Sequence, residues 1–275
     1  MQVLPPVRVL LSALAGLLLA AGAPAASEAD LERLLESGAC VRCDFRLGEL
    51  RGLSVEKADL SRAVLREADL KEARLVGANL RGADLRRAEV ERADLSLADF
   101  REASMRGVDL EKATLIEADF GDADLRNADL NETVASRARF DDADLRLAMM
   151  MRARADGASF RAAKMDGINL ERADLRGADL SGARLMFSDF DRVVATGANF
   201  RNADLSGAHF SSGDLSGADL TGAKLENTLF RRTRLVGADL TGARGLDEAR
   251  LVGACGDETT RLPDGVMIEV CSDLR

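Results

Sequence analysis

The sequence predicts an all-β solenoid, a rod wound from short extended sides and corners, and three observations predict it. An apolar residue recurs every five positions from Phe45 to Leu240 with no insertion or deletion, through 40 consecutive pentads. The residue two places before each centre is Ala in 29 of the 40, so the interior is narrow as well as regular. The 275-residue chain is 47% apolar and 31% charged, yet holds 10 Phe, no Trp and no Tyr. That balance excludes a disordered chain, and a core of Ala and Leu suits a thin, repetitive interior better than a deep globular one.

A period of five fits neither the 3.6 of a helix nor the continuous alternation of a strand. A short strand with a corner does fit it. With the centre at position i, residues i−2 and i point inward, i−1 points outward, and i+1 and i+2 turn the chain. Gly occupies 14 of the 40 i+2 positions, as in Gly77, Gly82, Gly177 and Gly182, which suits corners with unusual backbone angles. Four such sides would close a square coil of four pentads, and the phenylalanines bear on that number. Phe100, Phe120, Phe140 and Phe160 are each four pentads apart, as are Phe190, Phe210 and Phe230. This makes five pairs at that spacing, where random placement gives roughly 1.7. The undersized centres Ala135, Ala155 and Ala195 are each followed one pentad later by a Phe, as a narrow close-packed core requires.

Segments such as Ala78-Asn79-Leu80-Arg81-Gly82 and Ala218-Asp219-Leu220-Thr221-Gly222 resemble the A-(D/N)-L-x-x signature of the pentapeptide-repeat family, over about 200 residues. The resemblance implies a right-handed quadrilateral β-helix over residues 45–244, of about ten coils of four pentads each. At about 4.8 Å per coil the rod would be roughly 48 Å long. Function is not implied in the same way, because one fold carries many activities.

The ends break the pattern. Residues 1–25 read as a secretory signal: Arg8 in the n-region, an apolar stretch from Val9 to Ala21, and Ala23-Pro24-Ala25 before the cleavage point. That stretch is shorter than the roughly 20 residues of a membrane span, so an exported, periplasmic or extracellular chain with no stable span is expected. Residues 26–44 form an N-terminal cap. Ser27-Glu28-Ala29-Asp30 resembles a capping box and Leu31, Leu34 and Leu35 an apolar stripe, giving a short helix over 28–37. The phase breaks at Gly245, so residues 245–275 are read as a C-terminal cap. Solenoids need such caps because their ends expose unpaired edges.

Four Cys in an exported chain suggest two disulfides. A straight rod separates the two pairs, which excludes one four-ligand zinc site and leaves Cys40–Cys43 and Cys255–Cys271 as the local pairings. The second closes a loop worth about 3 kcal/mol on the chain-entropy model. A redox role for Cys40-Val41-Arg42-Cys43 is the alternative, but Cys43 falls at an inward i−2 position. No catalytic, cofactor-binding or metal-binding residue is assigned. His209, the sole histidine, is outward beside Ser211 and Ser212. The outward Asp residues Asp59, Asp99, Asp119, Asp179, Asp219 and Asp239 share their wall with Arg81, Arg101, Arg161 and Arg201, as a solvated, salt-linked face would.

Apolar residues at outward positions are more informative, and Met149, Met151, Met186 and Phe187 are the candidate partner surface. Removing Arg8 with the leader takes the formal charge from −9 to −10, which excludes nucleic-acid binding by phosphate neutralisation. The reading is an exported, non-enzymatic scaffold for an unknown protein or envelope component. The family resemblance supplies an alternative, a DNA mimic acting on a topoisomerase, against which the leader and the interleaved basic residues both count. An enzyme or redox protein is the third class.

Overall fold

The structure is a computed structural model that describes residues 28–246 and 250–271. The expected leader and Ser27 lie outside the described residues.

Helix α1, Glu28–Ser37, begins with Glu28 and Asp30 in its first turn, where carboxylates favour a helix N-terminus. It ends where Gly38 takes a left-handed φ of 71° and donates its N–H to the Leu34 carbonyl. Leu34 is fully buried and Leu31 packs against the core. Leu35, expected on the same stripe, is 57% exposed instead. It sits one residue round from Leu34, and one helical residue is about 100° of rotation.

From Ala39 the chain winds into a solenoid. The outward residue of each pentad bridges its counterpart four pentads on, always in parallel: Ala39 with Asp59, Asp44 with Val64, and so to Lys224 with Arg244. One turn of the coil is therefore four pentads long. Each side offers three extended residues between turns, room for a single bridge. Among the described residues, regular strands consequently appear only in the C-terminal segment, where β1, Cys255–Gly256, pairs in parallel with β2, Glu269–Val270.

The pentad 78–82 shows how its backbone is satisfied. Ala78 N–H donates to the Leu75 carbonyl and closes a turn; Asn79 donates to Ala58 in the preceding coil. Leu80 and Gly82 donate to Asp99 and Arg101 in the following coil. The fifth donor, Arg81 N–H, has no carbonyl and instead meets the side-chain Oδ1 of Asn79 at 3.2 Å. Along the rod, Asp69, Asp109, Asp129 and Asp189 accept the same i+1 N–H at 2.8–3.0 Å. The Asp or Asn of the pentad is thus a side-chain acceptor for an otherwise orphaned backbone donor.

Every i+2 residue from Arg42 to Gly242 has a positive φ, between 55° and 72°, and 27 of these residues are not glycine. A left-handed L-residue costs about 1–2 kcal/mol. Each i+2 N–H that reaches a carbonyl of the next coil, such as Arg62 to Arg81 at 2.9 Å, offsets that strain.

The centres and i−2 residues form one continuous apolar column. Phe100, Phe120, Phe140 and Phe160 stack with centroids 4.8–4.9 Å apart and planes within 4° of parallel. Phe190, Phe210 and Phe230 form a second stack, against which Phe200 sits edge-on at 6.0 and 6.1 Å. Where Ser188, Thr228 and Thr233 replace the inward Ala, each hydroxyl donates to a backbone carbonyl one coil back, so no buried hydroxyl is left alone there.

The ladder continues past the break of phase at Gly245. Arg234 bridges Cys255 and Asp239 bridges Arg261, so the four-pentad interval lengthens by one residue and then by one more before the coil stops. Disulfide Cys255–Cys271 ties β1 to the end of β2. At the other end, Cys40–Cys43 spans the first corner, with both residues almost completely buried.

Ala155 is fully buried in a centre position beside the Phe160 wall. Replacing it by Leu enlarges a side chain in a filled interior and should destabilise by about 1–3 kcal/mol. Urea unfolding of Ala155→Leu against the wild type checks this, and an unchanged midpoint would contradict it.

Candidate functional site

With the interior filled and the backbone paired, chemistry is confined to the outward side chains. Many of them are ion pairs fixed by the pentad itself. An Asp at i−1 that accepts the i+1 N–H is correctly placed for an Arg at i+1 to return over it. Arg86, Arg101 and Arg126 close such forks on Asp84, Asp99 and Asp124 at 2.5–2.6 Å, and Arg176 does so on Asp174. The guanidinium bonds hold these four carboxyl groups below the ordinary aspartate range, against the upward push of partial burial. At Asp141, burial pushes upward, but the Ser159 hydroxyl and the Arg161 guanidinium outweigh it and the carboxyl is again held low.

In some pentads the acceptor comes from the coil before. Asn131 accepts from Met151 N–H, Asp141 from Arg161, Asp191 from Ser211, and Asp166 from Met186 at 3.4 Å. The i−1 positions of these pentads hold Met149, Ser159, His209 and Arg184. Delegating the backbone acceptor frees the outward position for another residue. Both halves of the expected partner surface, Met149/Met151 and Met186/Phe187, lie in such pentads.

The two halves occupy different places. Met186 and Phe187 join Leu147, Gly167, Asp166 and three arginines around a groove of about 540 Å³. Phe187 is 76% exposed. Its ring lies across Gly207, where a Cβ would come within 2.6 Å of Cδ1, so only glycine admits the ring there. Leu147 lies across Gly167 in the same manner, its Cδ2 within 2.9 Å of a Cβ position. Met151 lines a separate, polar groove of about 330 Å³ with Asn131, Glu132 and Arg152. Met149 stands on the wall between, bridged to Asp129 and Asn169.

Among the described residues, the one group with metal-ligand spacing is Asp30, Cys40 and Cys43, with donor atoms within 4.8 Å of one another. The two sulfurs are joined to each other and buried, so they present no thiolate to a metal or a redox partner. His209 is exposed on the ladder between Asp189 and Leu229, while the neighbouring Ser211 uses its N–H on Asp191. No described helix is long and apolar enough to cross a membrane.

Sequence reasoning missed one further feature. Arg46, Arg66, Arg86, Arg106, Arg126 and Arg146 occupy the same i+1 position in six successive coils and form a column along one corner. The signal is present as the same four-pentad spacing that groups Asp59, Asp99 and Arg81 on another wall.

The family description "Pentapeptide repeats" matches the chain in eight copies, over residues 43–82, 78–115, 93–132, 118–154, 156–191, 187–211 and 214–255. No curated protein matches. Similar solved structures include HetL, a pentapeptide repeat protein involved in heterocyst differentiation regulation from the cyanobacterium Nostoc. It is 28% identical, with 82% of this chain and 92% of that one covered and a TM-score of 0.41. QnrB1, a plasmid-mediated fluoroquinolone resistance protein, is 20% identical, covering 66% and 91%, with a TM-score of 0.44. A pentapeptide repeat protein of the Arabidopsis thaliana thylakoid lumen is 31% identical, covering 39% and 71%, with a TM-score of 0.28.

The depressed carboxyl groups fix the sign of the pH dependence. A group whose folded pKa lies below its unfolded value of about 3.9 adds stability that is complete above that value and is lost as pH falls through the folded one. Stability conferred by Asp84, Asp99, Asp124, Asp141 and Asp174 should therefore hold from neutral pH to about pH 4 and decline below it. Urea midpoints measured from pH 7 to pH 2 test this, and a midpoint that rises below pH 4 would refute it.

Proposed function

The chain belongs to the pentapeptide-repeat family, and we propose that it is an exported, non-enzymatic rod presenting its outer walls to a protein or envelope component. The family fold is a right-handed β-helix. In the finer reading the helix is quadrilateral, with about ten coils over residues 45–244, a helical cap with the Cys40–Cys43 pair over 26–44 and a disulfide-closed cap over 245–275. Residues 1–25 are read as the leader that exports it.

The observation that carries this reading is the coincidence of exposed apolar side chains with delegated backbone acceptors. In the pentads of Met149/Met151 and Met186/Phe187 the acceptor for the i+1 N–H is supplied by the preceding coil, and Met149 and Phe187 stand exposed at the surface. An exposed ring packed over a glycine costs solubility and contributes nothing to the filled interior, which points to contact with another molecule. The same walls favour a scaffold over a DNA mimic. A DNA-like surface needs an unbroken acidic face, and here arginine columns interrupt it.

Two measurements on protein from its native cells test the proposal. The intact mass should correspond to a chain starting at Ala26 with four hydrogens missing, as export and two disulfides require. Photo-crosslinkers at Phe187 and Met151 should then capture envelope proteins, and charged substitutions at these residues should abolish the capture. An intact Met1 with free thiols, or crosslinking indifferent to those substitutions, would overturn it.

A further inference from the structure

Two grooves run end to end along the corner that carries the arginine column, sharing Arg106 and Asn127. The first, about 390 Å³, is lined by Arg66, Arg86, Arg87 and Arg106 with no carboxylate. The second continues past Arg126 and Arg146 and closes on Leu147, Met186 and Phe187. The result is one gutter, cationic toward the N-terminal coils and apolar at its other end, on a chain of formal charge −9.

The column is only partly neutralised from within, and Arg46 at its N-terminal end is paired with Asp44. Arg86, Arg126 and Arg146 are each paired with the aspartate two residues before. Arg66 and Arg106 have Val64 and Ser104 at that position. Among the described residues Arg66 pairs with Glu67 alone, at 3.4 Å, which Arg87 also approaches at 3.7 Å, and it lies near enough to Asp84 to help hold that carboxyl low. Arg106 forms no ion pair among the described residues, although it lies near enough to Asp124 to help hold that carboxyl low. An incoming anion would therefore find guanidinium donors that the rod itself does not engage.

We propose that this gutter binds an extended peptide segment, acidic at one end and carrying an apolar anchor at the other. The assignment rests on the scaffold reading and names the partner chemistry of that surface. Three features select it. The walls have no free ladder edge, because their N–H and C=O groups are used between coils, so an added strand is excluded and recognition must come from side chains. The arginines match carboxylates in charge and in bidentate geometry. The Leu147, Met186 and Phe187 end offers no partner to a purely anionic chain, whereas an apolar side chain would cover it. From Arg66 to Met186 the gutter crosses six coil steps, about 29 Å, the length of roughly nine extended residues.

Fluorescence anisotropy with the intact, oxidised protein tests this. One labelled nine-residue probe carries four glutamates at one end and two leucines at the other; a second has the leucines replaced by glutamates. The amphipathic probe should bind saturably and weaken as salt is raised. Arg106→Glu should lower its affinity roughly tenfold, the loss of one charge-assisted contact. Phe187→Ser should weaken the amphipathic probe and leave the all-acidic one unchanged, while Arg62→Glu, on another corner, should alter neither by more than about twofold. Thermal melts confirm that each variant folds, with Arg106→Gln in reserve should Arg106→Glu fail.

Absence of saturable binding would overturn the proposal. So would equal affinity for both probes with no effect of Phe187→Ser, which would describe a general polyanion strip, or equal losses in Arg62→Glu and Arg106→Glu. If envelope proteins still crosslink through Phe187 while no peptide binds, the scaffold reading stands and this assignment alone falls.

Discussion

Each pentad brings five backbone N–H groups that need acceptors, and how the fifth is satisfied shapes both the repeat and its surface. Turn and ladder carbonyls take four of them, as in residues 78–82. The donor at i+1 meets no carbonyl, and a short side-chain oxygen two residues earlier reaches it. Asp and Asn have the length and the acceptor for this; longer or apolar side chains do not. Where Asp or Asn stands at i−1, that residue is therefore part of the backbone hydrogen-bond system.

This constraint also shapes the surface. A carboxylate fixed at i−1 lies within reach of an arginine at i+1, and stacking at four-pentad spacing turns isolated pairs into columns. Exposed pairs of this kind add little stability singly. Their order matters more, because a residue missing from the pattern, such as Ser104 before Arg106, leaves its neighbour's charge uncancelled. Where the acceptor is delegated to the preceding coil, as with Asn131 and Met151, the wall is released from the rule and apolar residues stand on it.

Much of the fold was legible in the sequence because it is written in period. Forty apolar centres fix the inward positions, and the four-pentad spacing of Phe100, Phe120, Phe140 and Phe160 anticipates rings stacked 4.8–4.9 Å apart. What escaped were features that period does not encode. Asp at i−1 read as a solvated face, since its bond to the i+1 N–H depends on the turn geometry. Leu35 read as part of the helix stripe, yet α1 meets the first coil through Leu31 and Leu34. The lengthened ladder interval after Gly245 breaks the repeat while preserving the pairing, so the pattern alone does not reveal the bridges to Cys255 and Arg261. Of the candidate surface, exposure at Phe187 was legible, whereas its separation from Met151 by a wall and its seat on Gly207 follow from the three-dimensional winding.

A matched pair of substitutions at Asp109 decides whether the i−1 oxygen serves the backbone. Asp109 Oδ1 accepts the Glu111 N–H at 3.0 Å. Both Asp109→Ala and Asp109→Asn remove the charge, but only Asn keeps the acceptor. Asp109→Ala should lower the unfolding free energy by about 1 kcal/mol, while Asp109→Asn should stay within a few tenths of the wild type. Equal losses in the two variants would mean that the charge, and not the acceptor, is what the pentad requires.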